Sequence, residues 1–338
     1  MLGTLIHGTR DIRFEERPDP SIQEPADAII RLSATCVCGS DLWPYRGVNE
    51  VTRPMAIGHE YVGIVEQVGA DVATISPGQF VIGSFYASDN TCPHCRAGYQ
   101  TNCLNGRPLD GAQSELLRVP LADGTLVATP GMPGPSLIPS LLTLSDVMGT
   151  GWFAAVAAQV RPGMTVLVVG DGAVGLLGVL AAHRMGAARI IAMSRHERRQ
   201  KLAIEYGATD LVSARGSAGS AEVKELTGGV GADAVLECVG TNESMQQAIG
   251  AARPGAFVGF VGVPHGVQVE GTRLFRTQVG LQGGPAPVRR FLPELIDLVW
   301  HGEINPGKVF DLTLPLSEVA EGYRAMDERR AIKTLLMP

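Results

Sequence analysis

The sequence predicts an α/β protein of two domains, a small barrel-like β domain and a doubly wound parallel sheet, and three observations carry the prediction. The chain has 338 residues, beyond the length at which one hydrophobic core usually keeps growing. Residues 1 to 130 hold many short β-type runs punctuated by Gly and Pro, whereas from Met164 to about Pro285 strand-like runs alternate with helix-length segments. The first pattern is that of a small barrel, and the second is that of a parallel sheet covered on both faces.

Composition narrows the class. The chain is 45% hydrophobic and 18% charged, and 28 basic against 34 acidic residues give a net charge of −6. That balance offers no broad basic surface, which argues against nucleic acid or anionic membrane as partners. The opening Met1-Leu2-Gly3-Thr4-Leu5-Ile6-His7 has neither the charged nor the long apolar region of a signal peptide, and no uninterrupted apolar run reaches the roughly 18 residues that span a bilayer. A cytoplasmic protein is expected, in which the six cysteines serve as metal ligands or core thiols rather than disulfides. No repeat of fixed period and no low-complexity segment suggests a solenoid or a disordered array.

Taken in order, the strand-like runs of the first domain include Ala28 to Leu32, Tyr61 to Val68 and Phe80 to Gly83. Pro130 to Pro139 reads as a connector, delivering the chain to a helical Leu141 to Asp146 and then to Gly151 to Ala158. Thr165 to Val169 is a short apolar, β-branched strand, followed by Gly170-Asp171-Gly172-Ala173-Val174-Gly175 and a helical Leu176 to Ala182. A second strand, Arg189 to Met193, follows, and Ala234 to Cys238, Ser244 to Ala251, Phe257 to Val261 and Val279 to Gly283 continue the series. After Pro287 a helix over Arg289 to Trp300 and a mixed tail return to the first domain. The expected division is therefore 1–150 with 287–338, and 151–286.

Strand, glycine turn and helix in that order are the setting in which G-x-G-x-x-G binds a dinucleotide. The first glycine allows a tight turn, the second lets the backbone approach the pyrophosphate, and the third lets helix and strand pack, while the helix start presents free N–H groups to the phosphates. At the end of the second strand stand Ser194-Arg195-His196-Glu197-Arg198-Arg199. A carboxylate there would bind the ribose 2′-hydroxyl of NAD, whereas an arginine accommodates the 2′-phosphate of NADP. Ser194 and Arg195 hold the place, which favours NADP. The same arginines would also serve as the solvated start of a helix, and Glu197 could reach back.

Two groups of metal-ligand residue types lie in the first domain. Cys38 and His59 are 21 residues apart and mean little as a pair, since a buried thiol and a satisfied histidine explain them equally well. Asp146, at the end of an apolar helix, is a third candidate, and a thiolate, an imidazole and a carboxylate are all suitable donors to a catalytic zinc with one open position. The second group is Asp89-x2-Cys92-x2-Cys95-x7-Cys103 on a polar loop, which fits a closed tetrahedral zinc site with Asp89 as fourth donor. His94 is the rival fourth ligand, and three free thiols are the alternative to any site. Cys36 and Cys238, in apolar strand-like settings, read as core residues.

These residues together resemble a zinc-dependent medium-chain alcohol dehydrogenase nearly end to end. The resemblance is carried by Cys38-Gly39-Ser40-Asp41, the run from Gly58-His59-Glu60 to Gly69, the cysteine lobe at about 88–104, Ser145-Asp146 followed by Thr150-Gly151, and Gly170 to Gly175. It implies a GroES-like β-barrel catalytic domain and a Rossmann domain. It also implies that Cys38, His59 and Asp146 hold a catalytic zinc with Glu60 as alternate ligand, and that Asp89, Cys92, Cys95 and Cys103 hold a structural one. Ser40 would take or give the substrate proton. Thr150 would lie against the nicotinamide, Lys333 would reach the pyrophosphate, and Gly170, Gly172, Ala173, Val174, Gly175 and Val263 would line the cofactor. Phe85 and Tyr86 would line the substrate pocket. Two positions depart from the family pattern. Asp89 replaces the lobe's first cysteine, and Trp43 replaces a histidine that passes the proton to solvent in many relatives, so that Trp43 is expected to shape the pocket instead.

The function expected from this set is hydride transfer between NADP(H) and a small alcohol, aldehyde or ketone, by a homodimer or homotetramer. An NAD-dependent polyol or amino-alcohol dehydrogenase is the alternative within the same chemistry. A dinucleotide-binding protein without catalysis is the alternative outside it, with the change at Trp43 as its support.

Overall fold

The computed structural model describes residues 1–338 and divides into two units, Met1–Gly149 with Pro287–Pro338, and Thr150–Ala286. The first unit is built on a mixed sheet in the strand order Leu126–Ala128, Phe80–Gly83, Tyr61–Val68, Ala28–Cys36, Lys333–Met337 and Phe310–Pro315, with Leu116–Val119 also paired to Ala28–Cys36. Ala28–Cys36 is its central strand, and eight of its nine residues are buried or half-buried. It runs antiparallel to Tyr61–Val68 with Thr35 opposite Tyr61. The neighbouring backbone approaches closely at Gly63, where a Cβ would lie 2.3 Å from the Arg31 carbonyl oxygen, so a side chain cannot be placed there without moving the strand.

The C-terminal strand Lys333–Met337 pairs antiparallel with the same central strand, Leu335 opposite Cys36 and Leu336 opposite Thr35. The tail therefore lies directly beside the residues that lead into Cys38. Ile30, Leu32, Tyr61, Val65, Val81 and Leu117 form one buried cluster of this unit. Ile6, Val37, Leu316, Tyr323 and Leu336 belong to a second.

The second unit is a six-stranded sheet in the order Asp210–Val212, Arg189–Met193, Thr165–Val169, Ala232–Glu237, Ala252–Phe260 and Gly280–Gly283, and every pairing in it is parallel. In chain order that is 3-2-1-4-5-6, the Rossmann arrangement, whose switch point lies between its first and fourth strands. The strands are apolar because they are covered on both faces: Leu167, Val169, Ile191, Met193, Val235 and Val258 are all essentially inaccessible. The glycine turn leaves Thr165–Val169 at the switch point and opens the helix Ala173–Arg184.

Several element boundaries differ from those the sequence suggests. The helix expected over Leu141 to Asp146 runs over Ile138–Thr143, starting earlier because Pro139 falls in its first turn, where the missing N–H costs nothing. Ser145 and Asp146 lie beyond it, in the turn before the helix Val147–Ala157. The strand Asp210–Val212 and the helix Gly216–Leu226 have no distinct sequence signal of their own, being respectively three residues long and rich in Gly, Ser and Ala. No single helix is long and apolar enough to cross a membrane.

Candidate functional site

Cys38 follows the central strand Ala28–Cys36, and His59 precedes Tyr61–Val68. Because Thr35 stands opposite Tyr61, the antiparallel pairing sets the two ligands side by side. Asp146 completes the group from its turn: its Oδ2 lies 3.6 Å from Cys38 Sγ and 3.2 Å from His59 Nε2. Ligand atoms of Cys38, His59, Glu60 and Asp146 all fall within 4.8 Å of one another. Bonds of about 2.0–2.3 Å around a tetrahedral zinc place donors roughly 3.3–3.7 Å apart, so these distances fit that ion.

The supporting shell fits it as well. Asp41 Oδ1 lies 3.4 Å from His59 Nδ1, leaving Nε2 as the nitrogen on the Asp146 side. Asp41 Oδ2 is held in turn by the Cys38 N–H at 2.9 Å and by Gln113 Nε2 at 3.4 Å, and Gln113 accepts from the Tyr323 hydroxyl at 3.1 Å. A carboxylate behind a ligating imidazole fixes its orientation and raises its basicity. Burial works against the His59 cation, but the charge of Asp41 and the contact with Asp146 outweigh it and hold the imidazole pKa well above its ordinary value.

Glu60 is fully buried beside this group. Its Oε1 accepts from Lys333 Nζ at 2.6 Å, and its Oε2 has no partner. An unpartnered buried carboxylate oxygen next to three donors fits the role of a fourth, alternate ligand. Lys333, expected to reach the pyrophosphate, is engaged within the first unit. It is 1% exposed, with its ammonium bound to Glu60 and to the Val37 carbonyl oxygen at 3.1 Å. The physical reason is the register of its strand against Ala28–Cys36, which turns Lys333 inward at the level of Val37. Burial raises the Glu60 carboxyl while Lys333 pulls it down.

Of the expected pocket residues, Phe85 stands edge-on to His59 with ring centroids 6.1 Å apart. Tyr86, the first residue of the two-residue strand Tyr86–Ala87, packs on the cysteine cluster instead. Ser40 is half-buried ahead of the short helix Leu42–Tyr45, and the backbone N–H of the half-buried Trp43 donates to the Ser40 carbonyl at 3.2 Å.

In the lobe, ligand atoms of Asp89, Cys92, Cys95 and Cys103 also lie within 4.8 Å of one another, with Cys92 Sγ 3.9 Å from Cys103 Sγ. The Asp89 carboxylate is fixed by the N–H groups of Thr91 and Cys92 at 2.8 and 2.9 Å and by Asn105 at 2.7 Å. The rival His94 is exposed and turned to the Asn102 carbonyl at 2.7 Å. Hydrogen bonding from the Leu104 backbone leads the effects that lower the Cys92 thiol to about 7, toward the thiolate that a metal requires.

In the second unit the glycine turn has the expected steric logic. Gly170 has φ +118°, and a Cβ on Gly175 would lie 2.0 Å from the Gly170 carbonyl oxygen. A Cβ on Gly172 would meet nothing within 4 Å, which leaves the helix start open above Ala173, Val174 and Gly175 for a pyrophosphate. Thr150 is buried in the Val147–Ala157 helix, and Val263 is 53% exposed after the strand Ala252–Phe260, at the same sheet edge as the turn. Ser194 is buried, and Arg195 is exposed and donates to the Ser213 carbonyl at 3.2 Å. Glu197 does not reach back, since it pairs with Lys201 at 2.8 Å on the solvent face.

Three residues absent from the expected site stand out. Asp41 is visible in sequence only as part of a motif, Arg199 only as one arginine among several, and Asp171 only as a free position of the glycine turn. Asp171 Oδ2 accepts from the Ser194 hydroxyl at 2.8 Å, and its Oδ1 lies 3.2 Å from Arg199 Nη1.

Comparison with known proteins matches two segments of the chain. Residues 24–130 match the alcohol dehydrogenase GroES-like domain, and residues 173–300 match the zinc-binding dehydrogenase family. The chain is 37% identical over 332 residues to a probable zinc-binding alcohol dehydrogenase of Mycobacterium tuberculosis, covering 96% of this chain and 84% of that protein. Among solved structures it is similar to the alcohol dehydrogenase TADH of Thermus sp. ATN1, with a TM-score of 0.92 and 31% identity, covering 100% of this chain and 99% of that one. It is also similar to a Sinorhizobium meliloti 1021 protein assigned to the zinc-binding dehydrogenases and bound to NADP, with a TM-score of 0.84 and 26% identity, covering 100% of this chain and 99% of that one.

Proposed function

The chain belongs to the zinc-dependent medium-chain alcohol dehydrogenases, and from that premise we propose that it transfers hydride between NADP(H) and a small alcohol, aldehyde or ketone. It is an oxidoreductase by family. The observation that carries the proposed reaction is the convergence of Cys38, His59 and Asp146, with donor separations of 3.2 and 3.6 Å, around the unpartnered Glu60 Oε2.

Cys38, His59 and Asp146 would hold a catalytic zinc. When bound, zinc supplies Lewis acidity toward the substrate oxygen, favouring alkoxide character in one direction and carbonyl polarisation in the other. The rest is done by the chain. Asp41 orients His59, the Ser40 hydroxyl takes or gives the substrate proton, and Phe85 with Trp43 bounds the apolar side of the pocket. The start of the helix Ala173–Arg184 binds the pyrophosphate, and Thr150 and Val263 position the nicotinamide half of the cofactor. Asp89, Cys92, Cys95 and Cys103 would hold a second, structural zinc.

Ser194 and Arg195 in place of a carboxylate support NADP(H), and the NADP bound to the Sinorhizobium relative is consistent with that reading. The alternative, an NAD-dependent polyol or amino-alcohol dehydrogenase, is favoured by one observation, the Asp171 carboxylate against Ser194. We place the protein in the cytoplasm as a homodimer or homotetramer, acting on a small molecule. The test is zinc content per chain together with NADPH and NADH oxidation against a panel of aldehydes and ketones. NADPH-preferring turnover by a protein carrying zinc supports the proposal, and an NADH preference overturns its cofactor half.

A further inference from the structure

We propose that Asp171, inside the glycine turn, is a specificity-determining residue that opposes the 2′-phosphate of NADP by engaging the donors meant to receive it. The inference rests on the assignment of Ser194 and Arg195 to the adenosine ribose and deepens it.

Ser194 Oγ donates to Asp171 Oδ2 at 2.8 Å. A serine hydroxyl has one proton, so while Asp171 accepts it none is left for a phosphate oxygen. Arg199 Nη1 is engaged at the same place, 3.2 Å from Asp171 Oδ1 and 3.3 Å from the Asp171 carbonyl oxygen. The side chains of Asp171 and Arg199 are 13% and 15% exposed, so solvent screens their pairing only in part. Although burial opposes its charge, Asp171 stays below the ordinary carboxylate range through Ser194, Arg199 and Arg215. A phosphate monoester brings about −1.5 to −2 charge at neutral pH, and next to this carboxylate that charge is disfavoured.

A ribose diol meets the opposite situation. An ionised carboxylate has about four acceptor sites, and Ser194 and Arg199 leave room for a hydroxyl donor. Asp171 thus supplies from the glycine turn the carboxylate that Ser194 at the strand end lacks and that Glu197, paired with Lys201, does not provide. Cofactor choice becomes a balance in which Arg195, Arg199 and Arg215 attract the phosphate and Asp171 resists it.

Affinities of the intact zinc-loaded enzyme for NADPH, NADH, adenosine 2′,5′-bisphosphate and 5′-AMP, measured by titration calorimetry for wild type and Asp171→Asn, test this directly. The expected result is a shift of the NADPH to NADH affinity ratio toward NADPH by about tenfold or more, equivalent to ~1.4 kcal/mol. The bisphosphate should bind more tightly and 5′-AMP should not. If Asp171 merely pins the helix Glu197–Glu205 to the turn, both cofactors weaken equally. That result, an unchanged ratio or a shift toward NADH overturns the proposal. Asp171→Ser, with folding checked by circular dichroism, gives the same readout should Asp171→Asn not fold. The wild-type ratio tests the cofactor reading separately: a wild type that prefers NADH, together with a variant shifted toward NADPH, contradicts that reading and upholds this one.

Discussion

The ammonium of Lys333 lies 2.6 Å from Glu60 Oε1, with the two side chains 1% and 0% exposed. The pair joins the C-terminal strand to the residue that follows His59, so the tail of the chain is an electrostatic part of the candidate metal centre. Lys333→Met leaves Glu60 buried without its counter-ion and should destabilise the protein by about 3–5 kcal/mol, read as a shift in the urea midpoint. If Lys333 instead served the pyrophosphate, the same variant would lose cofactor affinity at nearly unchanged stability.

Asp41→Asn keeps the size of the side chain but removes the charge behind His59 Nδ1. Zinc affinity at the Cys38, His59 and Asp146 site should fall by about 10–100-fold, followed as the rate of zinc release to a chromogenic chelator. Release at the wild-type rate would show that Asp41 does not orient the imidazole.

The lobe makes a separate prediction. Cys95→Ser removes one of the four donors of the lobe and should lower the zinc content of the chain from two ions to one. Because the remaining ion is the catalytic one, turnover per remaining zinc should stay close to wild type while the thermal midpoint falls. Asp89→Cys should slow zinc exchange at the lobe, since a thiolate replaces a harder oxygen donor.

Asp27 is fully buried and accepts from Arg118 Nε at 2.6 Å and from the N–H groups of Gln23 and Glu24 at 2.9 and 2.8 Å. Burial opposes its charge, but these contacts prevail and hold its pKa below 3.8. A carboxyl whose folded pKa is depressed contributes stability that is fully present above its unfolded value and is lost as pH falls through the folded one. Asp27→Asn should therefore cost about 1–3 kcal/mol at pH 7, a difference that holds in urea melts down to about pH 3.8 and shrinks progressively as the pH falls below it. A difference that stays constant well below that value would contradict the assignment.

What the sequence reveals and what it hides divide along contact distance. The glycine turn is legible because all of its steric demands fall within six consecutive residues, and Asp89 is legible as a donor because it repeats the spacing of the cysteines. Lys333 and Glu60 are 273 positions apart, and only the register of Leu335 opposite Cys36 brings them together. Tyr86 follows Phe85 in sequence yet packs on the cysteine cluster, because Phe85 lies in a bend and Tyr86 opens the strand Tyr86–Ala87. Asp171 is hidden for a different reason: the dinucleotide motif constrains its glycines and leaves the residue between them free, so a carboxylate there has meaning only once Ser194 and Arg199 are seen against it.

The central claim is that Cys38, His59 and Asp146 form a zinc centre on which turnover depends. The most direct measurement is zinc per chain alongside NADPH-dependent carbonyl reduction, for wild type, for wild type stripped by a chelator and resupplied with zinc, and for Cys38→Ser. Activity that disappears with one zinc, returns with it and is absent from a folded Cys38→Ser protein retaining the lobe ion is the predicted result. Full carbonyl reduction by the stripped protein or by Cys38→Ser would contradict it.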